Sequence, residues 1–172
     1  MDIPSYLLGK NSASGGESGE TYFANDLGRA YSTNATIQKL IKKIPSNLVG
    51  QSNISYAFKS LDNLETVEKF DTSNVHDMSY LCMTCGKLVN FPELDVSNVD
   101  TSQGFKAMFS NTLGLSDESI NNVLNMCIKA VNYPGTKTLA ELGFDSSRYK
   151  VARIQALPSY DDFIAAGWTI GY

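Results

Sequence analysis

The sequence is poor in the residues and runs that carry catalysis, disulfide frameworks or membrane insertion. Its 172 residues include one histidine, one tryptophan and three cysteines. An odd number of cysteines argues against a disulfide framework. No apolar run approaches the roughly 18–20 residues that a membrane-spanning helix needs, so no membrane insertion is expected. The chain starts with an acid after Met1 and its first apolar stretch is short, so we expect no secretion signal.

Positive charge is scarce as well. The chain has 14 Lys and Arg against 18 Asp and Glu, a net charge of −4, and its longest basic run is Lys42-Lys43. Proteins that bind nucleic acid do so largely by neutralising phosphates with clustered basic residues. We therefore expect no nucleic-acid partner.

Motifs for catalysis are missing too. There is no Gly-x-Ser-x-Gly, no glycine loop leading to a lysine, and His76 has no cysteine or serine arranged with a third group around it. Asp161 and Asp162 are adjacent, and on a helix they point apart; an acidic first turn explains them. The sequence predicts a protein that is not an enzyme and needs no cofactor or metal.

What the chain does contain is a repeat with a spacing of 24 residues. The pattern Met-Ser-Tyr at Met78 is matched 24 positions earlier by Ile-Ser-Tyr at Ile54, and Asp71-Thr-Ser-Asn is matched 24 positions later at Asp95. A third copy begins at Phe105, 27 positions after Met78. We interpret residues 51–115 as about three units, of which the last is irregular.

One side of each unit is apolar. Because a single repeat cannot bury such a side alone, these residues are predicted to stack as a core. They are Ile54, Leu64, Phe70, Met78, Leu81, Cys85, Leu88, Leu94, Met108 and Leu115. Cys82 and Cys85 have the spacing of a metal or redox pair, but no second pair accompanies them. We interpret Cys85, and likewise Cys127, as a small buried apolar residue.

The repeated Asp-x-Ser-Asn sequence at Asp71 and Asp95 has two interpretations. It is a ladder of calcium ligands or a set of side chains that hold backbone turns. Only one Asp recurs per unit, which favours turns. Positions that differ between copies, such as Lys59 and Met83, are either a variable ligand surface or unconstrained loop positions.

The string from Phe70 to Val99, FDTSNVHDMSYLCMTCGKLVNFPELDVSNV, resembles the BspA-like class of leucine-rich repeats. Units of that class run as F-D-T-S-N-V-x-D-M-S-x-M-F-x-x-C-x-x-L and occur in bacterial surface proteins and in phage- and prophage-encoded proteins. This chain departs from the unit at Cys82, which replaces Phe, and at Leu61 and Thr112, which stand where Cys85 does. The resemblance implies an α/β fold, a short leucine-rich-repeat solenoid with helical caps at both ends.

The N-terminus is an apolar tip on a tether. Residues 1–10 carry the tip and residues 11–20 form a Gly/Ser-rich flexible linker. The tip either folds back, stays disordered, or docks in a groove of a larger assembly. The start of the chain resembles a short leader, M-x-I-P-S-Y-L-L-G-K, found on different phage-encoded proteins, which implies docking. The docking residues are then Ile3, Pro4, Tyr6, Leu7 and Leu8.

Both flanks of the repeat are predicted to be caps. Residues 21–50 form the N-terminal cap, with a short helix from about Thr33 that Pro45 ends. Residues 116–172 form a helical C-terminal cap, in which Ser116 begins a helix whose apolar stripe runs to Val131. Shorter helices are predicted at 138–142, 147–156 and 160–166.

The last residues, Leu157–Tyr172, resemble the "F-x-A-A-G-W-T-T-G-Y" ending of phage-encoded leucine-rich-repeat proteins. Trp168 is interpreted as a plug of the C-terminal cap rather than a ligand platform.

These resemblances imply a non-enzymatic accessory virion protein of a phage or prophage particle, made in the host cytoplasm and displayed on the virion surface. Its partners would be other virion proteins (capsid, tail or baseplate), and its repeat surface would recognise a host cell-surface protein or glycan. Two alternatives remain open. One is a purely structural head or tail decoration protein, and the other is a bacterial surface adhesin, which predicts an export signal.

Overall fold

The described part of the chain contains few regular elements, which are short β-strands and α-helices. The computed structural model describes the backbone of residues 22–23, residue 39 and residues 41–172. Its strands are β1 (Tyr22–Phe23), β2 (Lys43–Ile44), β3 (Leu48–Val49) and β4 (Thr66–Val67), and its helices are α1 (Asp117–Lys129), α2 (Val151–Gln155) and α3 (Tyr160–Ala165). The predicted docking peptide and linker lie outside the described residues.

Strands pair in parallel at regular sequence intervals. β1 pairs with β3, and β2 pairs with β4 in the register Lys43 with Thr66. Isolated parallel bridges continue this pattern, joining Thr66 to Asn90 and Asn53 to Asp77. Each of these last three pairings joins residues 23 or 24 positions apart. The chain therefore returns to the same edge after each copy of the repeat.

Backbone hydrogen bonds link three equivalent segments, 54–64, 78–88 and 105–115. The Phe58 N–H donates to the Leu81 carbonyl at 2.9 Å, and the Cys82 N–H donates to the Met108 carbonyl at 2.9 Å. The described non-glycine residues with positive φ fall into the same register, two per segment and four positions apart: Tyr56 and Ser60, Tyr80 and Thr84, Ala107 and Asn111. Their offsets are 24 and then 27, which are the offsets read from the sequence. Assignment to the leucine-rich-repeat class stays a prediction.

All ten residues predicted for the repeat core are buried. The Cys85 thiol donates to the Phe58 carbonyl of the preceding segment at 3.1 Å. Thr112, which stands at the equivalent place in the third segment, donates its hydroxyl to the Cys82 carbonyl and accepts from the Cys85 N–H at 3.1 Å. Thr112 therefore satisfies buried backbone groups that an apolar residue at this place would leave unpaired.

The C-terminal segments pack around Trp168, which is 1% exposed. Its indole stacks on Tyr133 at 5.6 Å with an interplanar angle of 9°, and it also contacts Phe105 and Phe163. Ser116 caps α1, as predicted, by accepting a hydrogen bond from the Ser119 N–H. Trp168 thus lies where three parts of the chain meet: the third segment, the loop that follows α1, and the helix α3.

Four of the helix predictions are wrong, one of them as a whole and three in their bounds. α1 ends at Lys129, and Val131 is 74% exposed rather than part of the buried stripe, because the Ala130 N–H already bonds the Met126 and Cys127 carbonyls as a cap. Residues 138–142 are a turn. The Leu139 and Ala140 N–H groups donate to Thr169 and Ile170, so a five-residue window is held by the C-terminal strand-like segment instead of closing a helix.

The predicted helix at 147–156 is shorter, Val151–Gln155, because Asp145 accepts hydrogen bonds from the backbone of Ser147 and Tyr149 and holds those residues in a turn. The helix predicted from Thr33 to Pro45 falls mostly outside the described residues. Its end is wrong, because Lys43 and Ile44 form β2, with Ile44 fully buried. At these residues, parallel pairing with β4 determines the backbone conformation, although the apolar residues have helical spacing.

The Asp-x-Ser turns predict an acid dependence of stability. The Ser73 N–H and hydroxyl donate to the Asp71 carboxylate, which lowers the pKa of Asp71 below 3.8, and Ser97 does the same for Asp95. A folded-state pKa below the unfolded value stabilises the fold above that value, and this stabilisation disappears as pH falls through the folded pKa.

We expect the melting temperature to fall on acidification from roughly pH 5 to pH 3. The fall should be shallower in a variant carrying Asp71→Asn and Asp95→Asn, whose amide oxygens still accept from serine but do not take up protons. Scanning calorimetry measures this. Asp62→Asn with Asp161→Asn is the control for loss of two exposed carboxylates, and an equally steep acid fall in the turn variant would contradict the assignment.

Candidate functional site: an exposed tyrosine stack

Two aromatic rings face each other on the surface of the repeat. Tyr56 and Tyr80 are equivalent residues of the first and second segments, and their ring centroids lie 4.6 Å apart with an interplanar angle of 4°. Tyr56 is 44% exposed and Tyr80 is half-buried. We call these two residues, with Lys59, the tyrosine shelf. Exposed aromatic side chains with polar ends are typical of binding surfaces, because one edge is apolar and the other takes part in hydrogen bonds.

The backbone under both rings is left-handed, with φ of 63° at Tyr56 and 58° at Tyr80. An L-residue in this region costs roughly 1–2 kcal/mol relative to the right-handed one. Two hydrogen bonds to the next segment hold it, from the Tyr56 N–H to Ser79 and from the Tyr80 N–H to Lys106, at 3.1 and 2.8 Å. The repeat thus fixes two rings side by side in a conformation that local preference opposes.

The outer face of Tyr56 is covered by a cation of the same segment. The Lys59 amine lies 5.2 Å from the Tyr56 ring centroid. Since Tyr80 occupies one face of this ring, Lys59 lies over the other. Partial burial, followed by the neighbouring Tyr80 and Asp77, raises the pKa of Tyr56, so its hydroxyl is neutral at pH 7 and both donates and accepts hydrogen bonds.

A separate open cleft of about 680 Å³ lies beside β4 and α1, and Glu68, Glu93 and Glu118 are among its lining residues. Lys43 lies 2.6 Å from Glu68 and lowers the pKa of that carboxyl. Lys129 pairs with Glu93, and Asn125 donates to it at 3.0 Å; both lower its pKa. A carboxylate with a lowered pKa is a poor general acid or base near neutral pH.

The three cysteines are all buried and free. Burial raises the pKa of the Cys82 thiol well above its usual value, with Cys85 adding to the effect, and burial also raises that of Cys127. Reactive cysteines are exposed and have lowered pKa values. All three thiols here are buried, and the raised pKa values of Cys82 and Cys127 make those two still less reactive.

We therefore expect the native chain to react with a disulfide-exchange reagent many times more slowly than the unfolded chain, which should titrate three thiols. The measurement is absorbance of the released thiolate with and without denaturant. Val131→Cys, at an exposed position, is the control and should add one rapidly reacting thiol. Rapid reaction of the native wild type would contradict the burial of the three cysteines.

The calcium interpretation of the Asp-x-Ser-Asn repeat finds no support in the geometry. Within the described residues, no group of three or more His, Cys, Asp and Glu side chains is arranged to hold a metal ion. Asp71 and Asp95 each accept from a serine two positions on, which is the turn interpretation rather than the calcium one. Across residues 41–172, no helix is long and apolar enough to cross a membrane.

Tyr56 and Tyr80 occupy matching positions of the repeat, but they were not predicted to form a site. The usable signal was an aromatic residue that recurs at a position outside the core, between the two core residues Ile54 and Ala57.

Comparison of the chain with protein-family models, with curated proteins and with solved structures gave no significant match.

Proposed function

We propose that the chain is a non-enzymatic accessory protein of a phage or prophage particle that displays its tyrosine shelf for recognition of a host-surface glycan or protein. Attachment is assigned to the N-terminal residues Ile3, Pro4, Tyr6, Leu7 and Leu8. Support for the particle comes from the likeness of the repeat, the leader and the ending to phage-encoded proteins. Support for recognition comes from the shelf.

The observation that carries recognition is the exposed, strained and repeated tyrosine pair. Core packing does not explain it, because Tyr56 is 44% exposed. Backbone requirements do not explain it either, since Ala107 occupies the same left-handed position in the third segment, with φ of 51°. A binding surface does explain why two bulky rings are kept at positions that favour smaller residues.

A non-enzymatic role is favoured by the cleft and the cysteines. The carboxylates Glu68 and Glu93 are tied to Lys43 and Lys129, which leaves them ionised, and the thiols are buried. The lowered pKa values of Glu68 and Glu93 are the opposite of the raised carboxyl pKa that a catalytic acid shows, and burial keeps the thiols away from a substrate.

The test compares binding of the fluorescently labelled full chain to cells of the bacterium in which the gene or its phage propagates. Tyr56→Ala with Tyr80→Ala should lower bound fluorescence about tenfold or more, because interface aromatics are often the residues that dominate affinity. Val131→Ser, an exposed apolar residue outside the shelf, is the matched control and should bind as the wild type does.

Circular dichroism melts of both variants separate lost binding from lost folding. Binding that is unchanged in the double alanine variant would contradict recognition by the shelf. No binding by the wild type to the cells would instead favour a purely structural decoration protein.

A further inference from the structure

The stack of rings stops one segment early. Tyr56, Tyr80 and Ala107 are equivalent residues, all left-handed, with φ of 63°, 58° and 51°. The Tyr80 N–H bonds the carbonyl of Lys106 at 2.8 Å, and the Ala107 N–H bonds the carbonyl of Glu141 at 2.7 Å. The third segment therefore continues the same backbone ladder but carries a methyl group where the first two carry phenol rings.

The neighbouring position becomes small in the same segment. Lys59, Met83 and Ser110 are equivalent residues, each three positions after the residue of the stack. Ala107 and Ser110 are both small and partly exposed. The third segment therefore places less side-chain volume beside Tyr80 and Met83 than the repeat places beside Tyr56 and Lys59. We call these four residues, Tyr80, Met83, Ala107 and Ser110, the Tyr80 notch.

The two ends of the stack differ. On one side, the Lys59 amine closes the outer face of Tyr56. On the other, within residues 41–172, the ring of Tyr80 is stacked only on Tyr56, and no cation lies over its second face. That second face is the wall of the notch.

The spacing of a parallel ladder predicts room for one ring beside Tyr80. Hydrogen-bonded neighbours in parallel ladders are about 4.8 Å apart, so the rungs of Tyr80 and Glu141, separated by that of Ala107, are about 9.6 Å apart. A ring resting on Tyr80 at a van der Waals distance of roughly 3.5–4 Å lies above Ala107 and fills this gap.

We propose that the Tyr80 notch binds one pyranose ring of a neutral glycan, with a flat C–H face of the sugar on the outer face of Tyr80. The inference rests on the proposed recognition function and names its ligand class. Sugar rings with equatorial substituents have such apolar faces and a rim of hydroxyls, which suits a shelf whose edge carries the Tyr56, Tyr80 and Ser110 hydroxyls. The net charge of −4 disfavours polyanionic ligands.

The test titrates the full chain, isotopically labelled, with cellotriose and with the trisaccharide of N-acetylglucosamine. Both have rings with only equatorial substituents. Amide shifts should centre on Tyr80 and Ala107 and saturate. Tyr80→Ala, which removes the wall, and Ala107→Tyr, which completes the stack with the residue found at the two equivalent positions, should each weaken binding about tenfold or more.

Two controls keep the outcome clear. Val131→Ser, an exposed position outside the shelf, should bind as the wild type does, and the wild-type shift map needs no variant if Ala107→Tyr fails to fold. The proposal is overturned if neither trisaccharide shifts Tyr80 or Ala107, or if Ala107→Tyr folds and binds normally. Cell binding that depends on the shelf while both sugars fail would leave recognition standing without this ligand. Saturable shifts at the notch with N-acetyltryptophan amide alone would assign it to a protein side chain.

Discussion

Replacing Trp168 by alanine is expected to lower the free energy of unfolding by roughly 3–5 kcal/mol, the range for a buried aromatic truncated to a methyl group. Trp168 is 1% exposed and contacts Phe105 of the third segment, Tyr133 of the loop after α1 and Phe163 of α3. Its loss leaves a cavity that these rings do not close without moving, because each is itself packed in the core. The measurement is urea unfolding followed by circular dichroism.

The matched control lies in the same part of the chain. Ile164 is on α3, next to Phe163, but is 42% exposed, so Ile164→Ala should cost well under half as much. Trp168→Phe keeps an aromatic ring and should fall between the two. A Trp168→Ala variant as stable as Ile164→Ala would mean that the C-terminal segments are not packed on the repeat as described.

Replacing Gly143 by alanine is expected to destabilise the chain by about 2–5 kcal/mol, which combines a left-handed backbone penalty with overpacking. Gly143 has φ of +88°, and a Cβ there would lie 2.5 Å from the Ser110 nitrogen and 2.7 Å from its Cα. Backbone atoms of the third segment are the obstacle, and the Phe109 N–H bond to the Leu142 carbonyl fixes the two chains in register. Because the Cβ position is fixed by the backbone, no side-chain rotamer removes this clash.

Gly86 supplies the control for Gly143. A Cβ on Gly86 meets nothing within 4 Å, and its φ does not lie in the left-handed range. Gly86→Ala should therefore change the free energy of unfolding by no more than about 0.5 kcal/mol. Equal effects of the two substitutions, measured by the same urea unfolding, would show that residues 139–143 do not lie against the third segment.

The periodic part of the chain was predictable because its pattern repeats. Offsets of 24 and 27 residues, read from Met78 and Phe105, recur in the positive-φ residues of the three segments. Ser116 was predictable as a cap because serine followed by acids is a local signal, and it does accept from the Ser119 N–H. Local capping signals and sequence repeats can both be read without knowledge of the tertiary contacts.

The rest depends on contacts between distant residues. The 138–142 segment has a helical pattern, but the Leu139 and Ala140 N–H groups bond the carbonyls of Thr169 and Ile170, about 30 positions away. Lys43 and Ile44 end a helical pattern but pair with β4. The left-handed Tyr56 and Tyr80 oppose local preference and are held by the next segment, so the tyrosine shelf was not visible as a site.

We propose that one chain separates attachment from recognition: residues 1–10 dock on a particle, residues 11–20 are the linker, and the shelf binds outside the particle. The most direct measurement is the copy number of the chain in purified particles, by mass spectrometry and cryo-electron microscopy. It compares the intact chain, a version lacking residues 1–20, and the variant with Tyr56→Ala and Tyr80→Ala. We predict that the intact chain and the shelf variant are incorporated equally and that the shortened chain is absent. Equal incorporation of the shortened chain would contradict docking by the N-terminal peptide and would assign the particle contact to the repeat itself.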